Sequence, residues 1–443
     1  MSNLPFNCLL HFSILRSKII KIKLKSMMFN FRKILCPAVL IALLSATLNG
    51  QQQGWRGPER SGIYNETGLL KGWPSNGPDL LWEASGTGTG YSSVTVTDDA
   101  VYITGRKGEK DVLTSFSQNG KKNWEVEYGG SSDSNFPDSR CTPTWSNGKI
   151  FLVSGLGDMV CIGTDGKIKW SVNYFRKYSA NTPQFGISES PLVVDNKVIG
   201  TMGGNRAAIV AFDVENGNVV WETPPIREVT QYVNPVLIEN GAMKLIVTIT
   251  ERFIIAVNAL NGKLLWKFNY EAQNAEPTGD RNHVNTPVYS DGYILAANGY
   301  GQVAVKIKLN SDGSMPSVVW KNTDLTPHVG GMVLLGNYVY GSTHDTNSEG
   351  RWICVDWTTG KTIWITAWNN KGSIISADGM LYILEEKQGN VGLVNPSDEK
   401  FDVVSSFQVL KGAGPYWAHP TINNGRLFIR HGDYLAVYSI KAK

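Results

Sequence analysis

The chain has 443 residues, 14 of them Trp, and a formal net charge of +4. The positive balance belongs to the first fifty residues, which hold seven Lys or Arg and no acid; beyond them stand 35 basic and 38 acidic residues, a net of −3. That excludes a basic stripe for nucleic acid, and past residue 50 no apolar or amphipathic run argues for a membrane span.

In chain order, Met27 to Lys33 is a basic run and residues 34–48 are apolar. The apolar run is too short, and too broken at Pro37, to cross a bilayer, so it reads as a signal peptide. Residues 1–50 are therefore expected to be cleaved, with small residues for the cut at Ser45-Ala46 or Asn49-Gly50 and a true start at Met27 or Met28. The protein is expected to be exported, periplasmic or secreted. Cys36 follows Leu35 at the wrong end of the run for a lipoprotein. Residues 51–78 are expected to form an extended strap.

From residue 79 onward one phrase recurs. It ends at Trp82, Trp124, Trp170, Trp221, Trp266, Trp320 and Trp364, with Phe407 in the next slot, at intervals of 42 to 54 residues. A period of that size means a solenoid, propeller or array. Four residues before most of these Trp stands a turn glycine: Asn119-Gly120, Asp165-Gly166, Asn216-Gly217, Asn261-Gly262 and Thr359-Gly360. Such pairs favour two-residue hairpins of type I′. Each period holds four short strand signals, opening on phrases such as Thr142-Pro143, Ser190-Pro191, Asn234-Pro235 and Thr286-Pro287, and no helix. The expectation is an all-β, eight-bladed propeller of four-stranded antiparallel blades over 79–443. The last blade has three strands at the C-terminus, and Asp79 to Glu83 is an orphan strand. Placing that strand in the last blade closes the ring and removes two open edges. Each Trp then serves as a spacer against the next blade, its indole N–H seeking a carbonyl.

The stretches 211–221, 256–266 and 354–364 resemble the tryptophan-docking repeat of the pyrroloquinoline-quinone-like (quinoprotein) propellers, small-x-acidic-x-x-Thr-Gly-x-x-x-Trp. The resemblance covers residues from about 54 to the end. The opening Trp55-Arg56-Gly57-Pro58 is similar to a secreted bacterial subgroup of that family, which includes relatives of the assembly factor BamB. WD-type and kelch repeats fit less well: no Gly-His opening, Trp-Asp close or regular double glycine recurs. The resemblance implies the fold and leaves function open.

Cys141 and Cys161 are two strand spacings apart in one blade, too far for a disulfide. Cys161 and Cys354 fill the small-residue slot and read as core. Chemistry is expected at the funnel mouth, where the residues leading into each innermost strand are Tyr91, Arg140, Glu189, Asn234, His283, Asn285, His328, Lys371, Trp417 and His419. Three readings follow. The first is a monomeric scaffold binding a protein or a small anionic or sugar-like ligand, through Arg140, Lys371, the histidines and Trp417. The second is a quinone-dependent dehydrogenase of alcohols or sugars, which needs pyrroloquinoline quinone with Ca²⁺. For it Glu189, Asn234 and Asn285 are the oxygen ligands on offer, and the adjacent Cys pair of alcohol-oxidising members is missing. The third is a metal site from His283, His328 and His419. The first is preferred.

Overall fold

A computed structural model describes residues 52–276 and 282–442. The signal peptide and start site expected within 1–50 lie outside the described residues. Eight sheets, each an antiparallel run of four sequence-consecutive strands save the last, make up the described chain. The first blade is Thr95–Val96, Ala100–Lys107, Lys110–Ser117 and Lys122–Gly130. The eighth is Thr421–Asn423, Arg426–His431 and Tyr434–Ser439, completed by Asp79–Ala84. Asp79 pairs with Ser439 and Ala84 with Leu435, so the two ends of the chain close the ring as expected.

The outer strand of each blade carries its Trp against the next blade, save the seventh, where Phe407 in Asp402–Gln408 takes the slot. Trp82, Trp124, Trp170, Trp320 and Trp364 donate through Nε1 to the carbonyls of Gln118, Thr164, Val214, Trp357 and Ser397, at 3.0–3.1 Å. Trp221 Nε1 is instead buried without an acceptor among the described residues. The turn glycine has two reasons to be glycine. Its φ is positive, +72° at Gly217 and +73° at Gly360. A Cβ there would also lie 2.4–2.8 Å from the preceding indole, as at Gly262 against Trp221 and Gly360 against Trp320. The expected type I′ hairpins are corrected. Asn216 does not have positive φ, and the turn runs from Asp213 to Asn218. The acid of the repeat builds that wider turn. Asp213 Oδ1 accepts from the N–H of Glu215 and Asn216, and Asp356 Oδ1 accepts from Thr359. Among the described residues the blades hold no helix, as expected; Tyr174–Tyr178, between blades two and three, is a single helical turn. Asn173 Oδ1 accepts from Arg176 N at 2.8 Å, and Tyr174, Phe175 and Tyr178 bury one apolar side.

Around the axis, the residues before the blade-opening prolines form a belt. Ser93 N donates to Thr142 Oγ1, Thr142 N to Ser190 Oγ, Ser190 N to Asn234 Oδ1 and Asn234 N to Thr286 Oγ1. Innermost strands are edge strands, where Pro costs no ladder bond, and their carbonyls face the channel. The strap satisfies them. Arg60 donates to the carbonyls of Ser190, Pro191 and Pro235. Arg56 donates to Ile374 and Met332 and meets His419 Nδ1. Ile63–Tyr64 then runs parallel to Ser376 and Ala377 as a fifth strand of blade seven. Arg56 and Arg60 are 3% and 4% exposed, so the strap fills the axis with guanidinium groups that water barely reaches. The cysteines Cys141, Cys161 and Cys354 are free and buried.

Candidate functional site

Two sets of loops surface at the same mouth of a propeller: those leading into each innermost strand, and those joining the second strand to the third. Together with Trp55 of the strap they enclose a cavity of ≈ 170 Å³. Six of the residues expected at the mouth line it: Tyr91, Arg140, Asn234, His328, Trp417 and His419. Phe136, Phe185, Tyr232 and Tyr300 line it as well.

The wall is aromatic and its rings touch in sequence. Trp417 lies 4.9 Å from Tyr91, 5.1 Å from Phe136 and 5.9 Å from His328, centroid to centroid. Phe185 continues the wall between Phe136 and Tyr232. Arg140 stacks over Tyr91 at 5.2 Å. Its Nε and Nη2 donate to the carbonyls of Phe185 and Phe136, while among the described residues Nη1 makes no hydrogen bond and no carboxylate forms an ion pair with the group. Burial lowers its pKa, offset by the Tyr91 and Tyr232 hydroxyls and then Asp138.

Glu189, His283, Asn285 and Lys371 do not line the cavity; they are packed behind it. Glu189 is 2% exposed and accepts from Thr201 N and Oγ1. Burial pushes its pKa up to about 8, against the pull of Thr201 and Arg60. Asn285 gives its amide N–H to the carbonyls of Pro327 and His328 and its oxygen to Gly331 N. Asn234 Oδ1 belongs to the belt. The three oxygen ligands on offer for a calcium–quinone centre are thus each engaged by protein groups. The residues do not fit that pair, and we derive no step through it. The three-histidine metal site is corrected for the same reason. His283 is held by Glu251 O and Asn298, and His419 lies between Arg56 and Val329 O. No group of three or more His, Cys, Asp or Glu able to hold a metal occurs among the described residues. Burial, then the Arg56 charge, pushes His419 down to about 3, so it is neutral at pH 7.

The strand-two-to-three loops supply a second, charged layer that sequence reading passed over: Tyr300, His344 and Glu386. His328 Nδ1 faces Glu386 Oε2 at 3.0 Å, and His328 Nε2 faces Tyr300 Oη at 3.0 Å. Lys371, wholly buried, reaches His344 Nδ1 at 3.0 Å and Glu386 Oε1 at 3.6 Å. Burial, then the charges of His328 and Lys371, takes His344 down to about 4. The available signal was topological: these residues sit one strand pair after each opening, on the same face.

Tryptophan-docked blades, a closing N-terminal strand and a funnel mouth define a pyrroloquinoline-quinone-like propeller. A family model described as outer membrane protein assembly factor BamB matches residues 109–366, and the chain belongs to that family. Among curated proteins, the outer membrane protein assembly factor BamB of Shewanella oneidensis is 20% identical over 264 residues, 56% of this chain. The match spans 62% of that relative's length, less than two thirds. Among solved structures, BamB from Moraxella catarrhalis superposes with a TM-score of 0.59 at 16% identity, over 82% of this chain and 99% of that one. A europium-containing methanol dehydrogenase gives 0.60 at 13% identity, over 86% and 90%. At such identities the likeness is one of fold. No helix among the described residues is long and apolar enough to cross a membrane.

Proposed function

We propose that this is an exported, monomeric binding propeller that takes one small, flat, anionic ligand at the open mouth of its funnel. One observation carries the reading: a half-buried guanidinium, Arg140, stands in an aromatic-walled cavity, with no hydrogen bond at Nη1 and no Asp or Glu among the described residues that line it. A half-buried charge with no ion pair in contact is costly, and an anionic ligand supplies that contact. The rings of Trp417, Tyr91 and Phe136 stack on a flat ligand. Export rests on the basic and apolar runs before residue 50, and mass spectrometry of the mature N-terminus tests it.

Quenching of intrinsic Trp fluorescence by benzoylformate, with the neutral benzyl alcohol as control, tests the site. Saturable quenching by the anion alone is expected. A charge-assisted hydrogen bond is worth about 1.5–3 kcal/mol, so Arg140→Ala should weaken the affinity by roughly 10- to 100-fold. Equal binding of both compounds, or none of either, overturns the reading.

A further inference from the structure

Glu386, His328 and Tyr300 form a chain of side chains that reaches the cavity wall. Glu386 is 4% exposed and His328 7%, and both His328 ring nitrogens are engaged. A carboxylate only accepts hydrogen bonds, so Glu386 Oε2 requires the proton on His328 Nδ1. That fixes the tautomer and leaves Nε2 as an acceptor, to which Tyr300 Oη donates at 3.0 Å. The order carboxylate, imidazole, hydroxyl is the arrangement by which a base raises the reactivity of an oxygen acid. Tyr300 also sits at φ +61°, in the left-handed region. A bulky residue there is strained, and such strain collects at functional sites. Phe136, across the same cavity, shares it at φ +58°. Lys371 holds Glu386 from the far side, and His344 stacks on His328 with centroids 4.7 Å apart. The surroundings therefore hold the His328 ring in place as well as the hydroxyl.

We propose that Tyr300, His328 and Glu386 are an acid–base relay that removes a proton from a carbon acid bound in the cavity, an aryl 2-oxo acid or a close analogue. This rests on the binding reading above and goes beyond it. Arg140 pairs with the carboxylate and the aromatic wall takes the ring. Tyr300 Oη then takes a proton from the carbon next to the carbonyl while its own proton passes to His328 Nε2. The imidazolium so formed is stabilised by Glu386. The electron pair of the broken C–H bond moves onto the carbonyl oxygen as an enolate. Return of a proton along the same chain, to carbon or to that oxygen, gives the keto or the enol form, and no electrons leave the substrate. Tyr300 is the catalytic residue and Glu386 a positioning residue.

The test uses residues 51–443, the chain expected after cleavage, in D₂O with phenylpyruvate, whose C3 protons exchange through its enol. Benzoylformate, which lacks such a proton, reports binding alone. Exchange followed by proton NMR should run at least tenfold above buffer. Tyr300→Phe should return it to the buffer rate while benzoylformate still quenches saturably. Glu386→Gln should lower the maximal rate while leaving the half-saturating concentration in place, which a loss of packing alone would not do. His328→Gln, with an unchanged circular dichroism melt, guards against a misfolded Tyr300 variant. Benzoylformate binding without accelerated exchange of phenylpyruvate overturns the relay and leaves the binding reading standing. Exchange that survives Tyr300→Phe also overturns it. Failure of both anions to bind overturns the binding reading, and the relay with it.

Discussion

At the scale of single residues, the site shows how burial reassigns ordinary side chains. Glu189 looks from the sequence like a metal or cofactor ligand. In the fold it is a buried hydrogen-bond acceptor for Thr201, with its pKa pushed up to about 8 by burial. A carboxyl whose folded pKa is raised favours the folded state while protonated. Its contribution is therefore full below the ordinary value of 4.5 and is lost as pH rises through about 8. Glu189→Gln keeps the acceptor and removes the ionisation. Urea denaturation at pH 5 and pH 9 should show the variant gaining on the wild type at the higher pH, by on the order of 3 kcal/mol. A constant difference between the two at both pH values would show that Glu189 is not the titrating group. Other residues were legible from chemistry alone. Arg140 and Trp417 were named from their positions, and both line the cavity. Trp55 was seen only as part of an opening phrase, because nothing in a sequence says that a strap will cross the axis.

At the scale of the element, the eleven-residue repeat encodes a junction between neighbours as well as a turn. The acid closes the turn through Oδ1, the glycine takes positive φ, and the preceding blade's indole lies on the bare Cα. Gly360→Ala makes the case separable. A Cβ would stand 2.4 Å from Trp320 Cδ2, at a φ of +73°. Overpacking of this kind costs about 1–3 kcal/mol. In a Trp320→Leu background the clash is relieved and only the backbone strain remains, so the penalty of the second substitution should shrink. A double-mutant cycle read by thermal melting checks this, and full additivity would exclude the contact. The same reasoning explains why intervals between the Trp vary. In blade five the turn glycine Gly313 stands seven residues before Trp320 and meets Met243 and Leu265 instead of the preceding indole. The interval of 54 residues before Trp320 comes mainly from the long connection between Leu264–Asn269 and Val288–Ser290, with a smaller share from the longer turn before Ser317–Asn322; the blade still has four strands.

At the scale of the whole molecule, closure and plugging are both done by the N-terminal part of the chain. Asp79–Ala84 zips onto Tyr434–Ser439, joining residues more than three hundred positions apart. Leu70 N and Ala442 N add bonds between strap and C-terminus, to Ile440 O and Gly68 O. Deleting residues 79–84 would expose the edge of the eighth blade and leave the ring open. The product should be soluble at low concentration but melt at least ten degrees lower and aggregate on heating. Light scattering during a thermal ramp measures both, and an unchanged melting temperature would rule out this closure. The strap also occupies the axis. Arg56 and Arg60 fill the axis with donors to inner-strand carbonyls, and Trp55 of the same segment lines the mouth with Trp417 and Arg140.

The repeat, the blade count, the closing strand and the Trp spacers were determined by the sequence alone. Their signal is periodic and local: a turn glycine and an indole four residues apart give the same packing wherever they recur. The mouth was only half legible. Residues leading into innermost strands could be named in order, but their side-chain directions depend on how much each blade twists before it meets the belt, and twist has no sequence period. Glu189, His283, Asn285 and Lys371 consequently face inward to packing. Tyr300, His344 and Glu386 come together from blades five, six and seven through long-range contacts that no local pattern records. Tertiary structure alone decided that a tyrosine, a histidine and a glutamate 28 and 58 residues apart along the chain would share one line of hydrogen bonds. Hydrophobic periodicity fixes where strands lie; the polar groups between blades find partners only after the ring has closed.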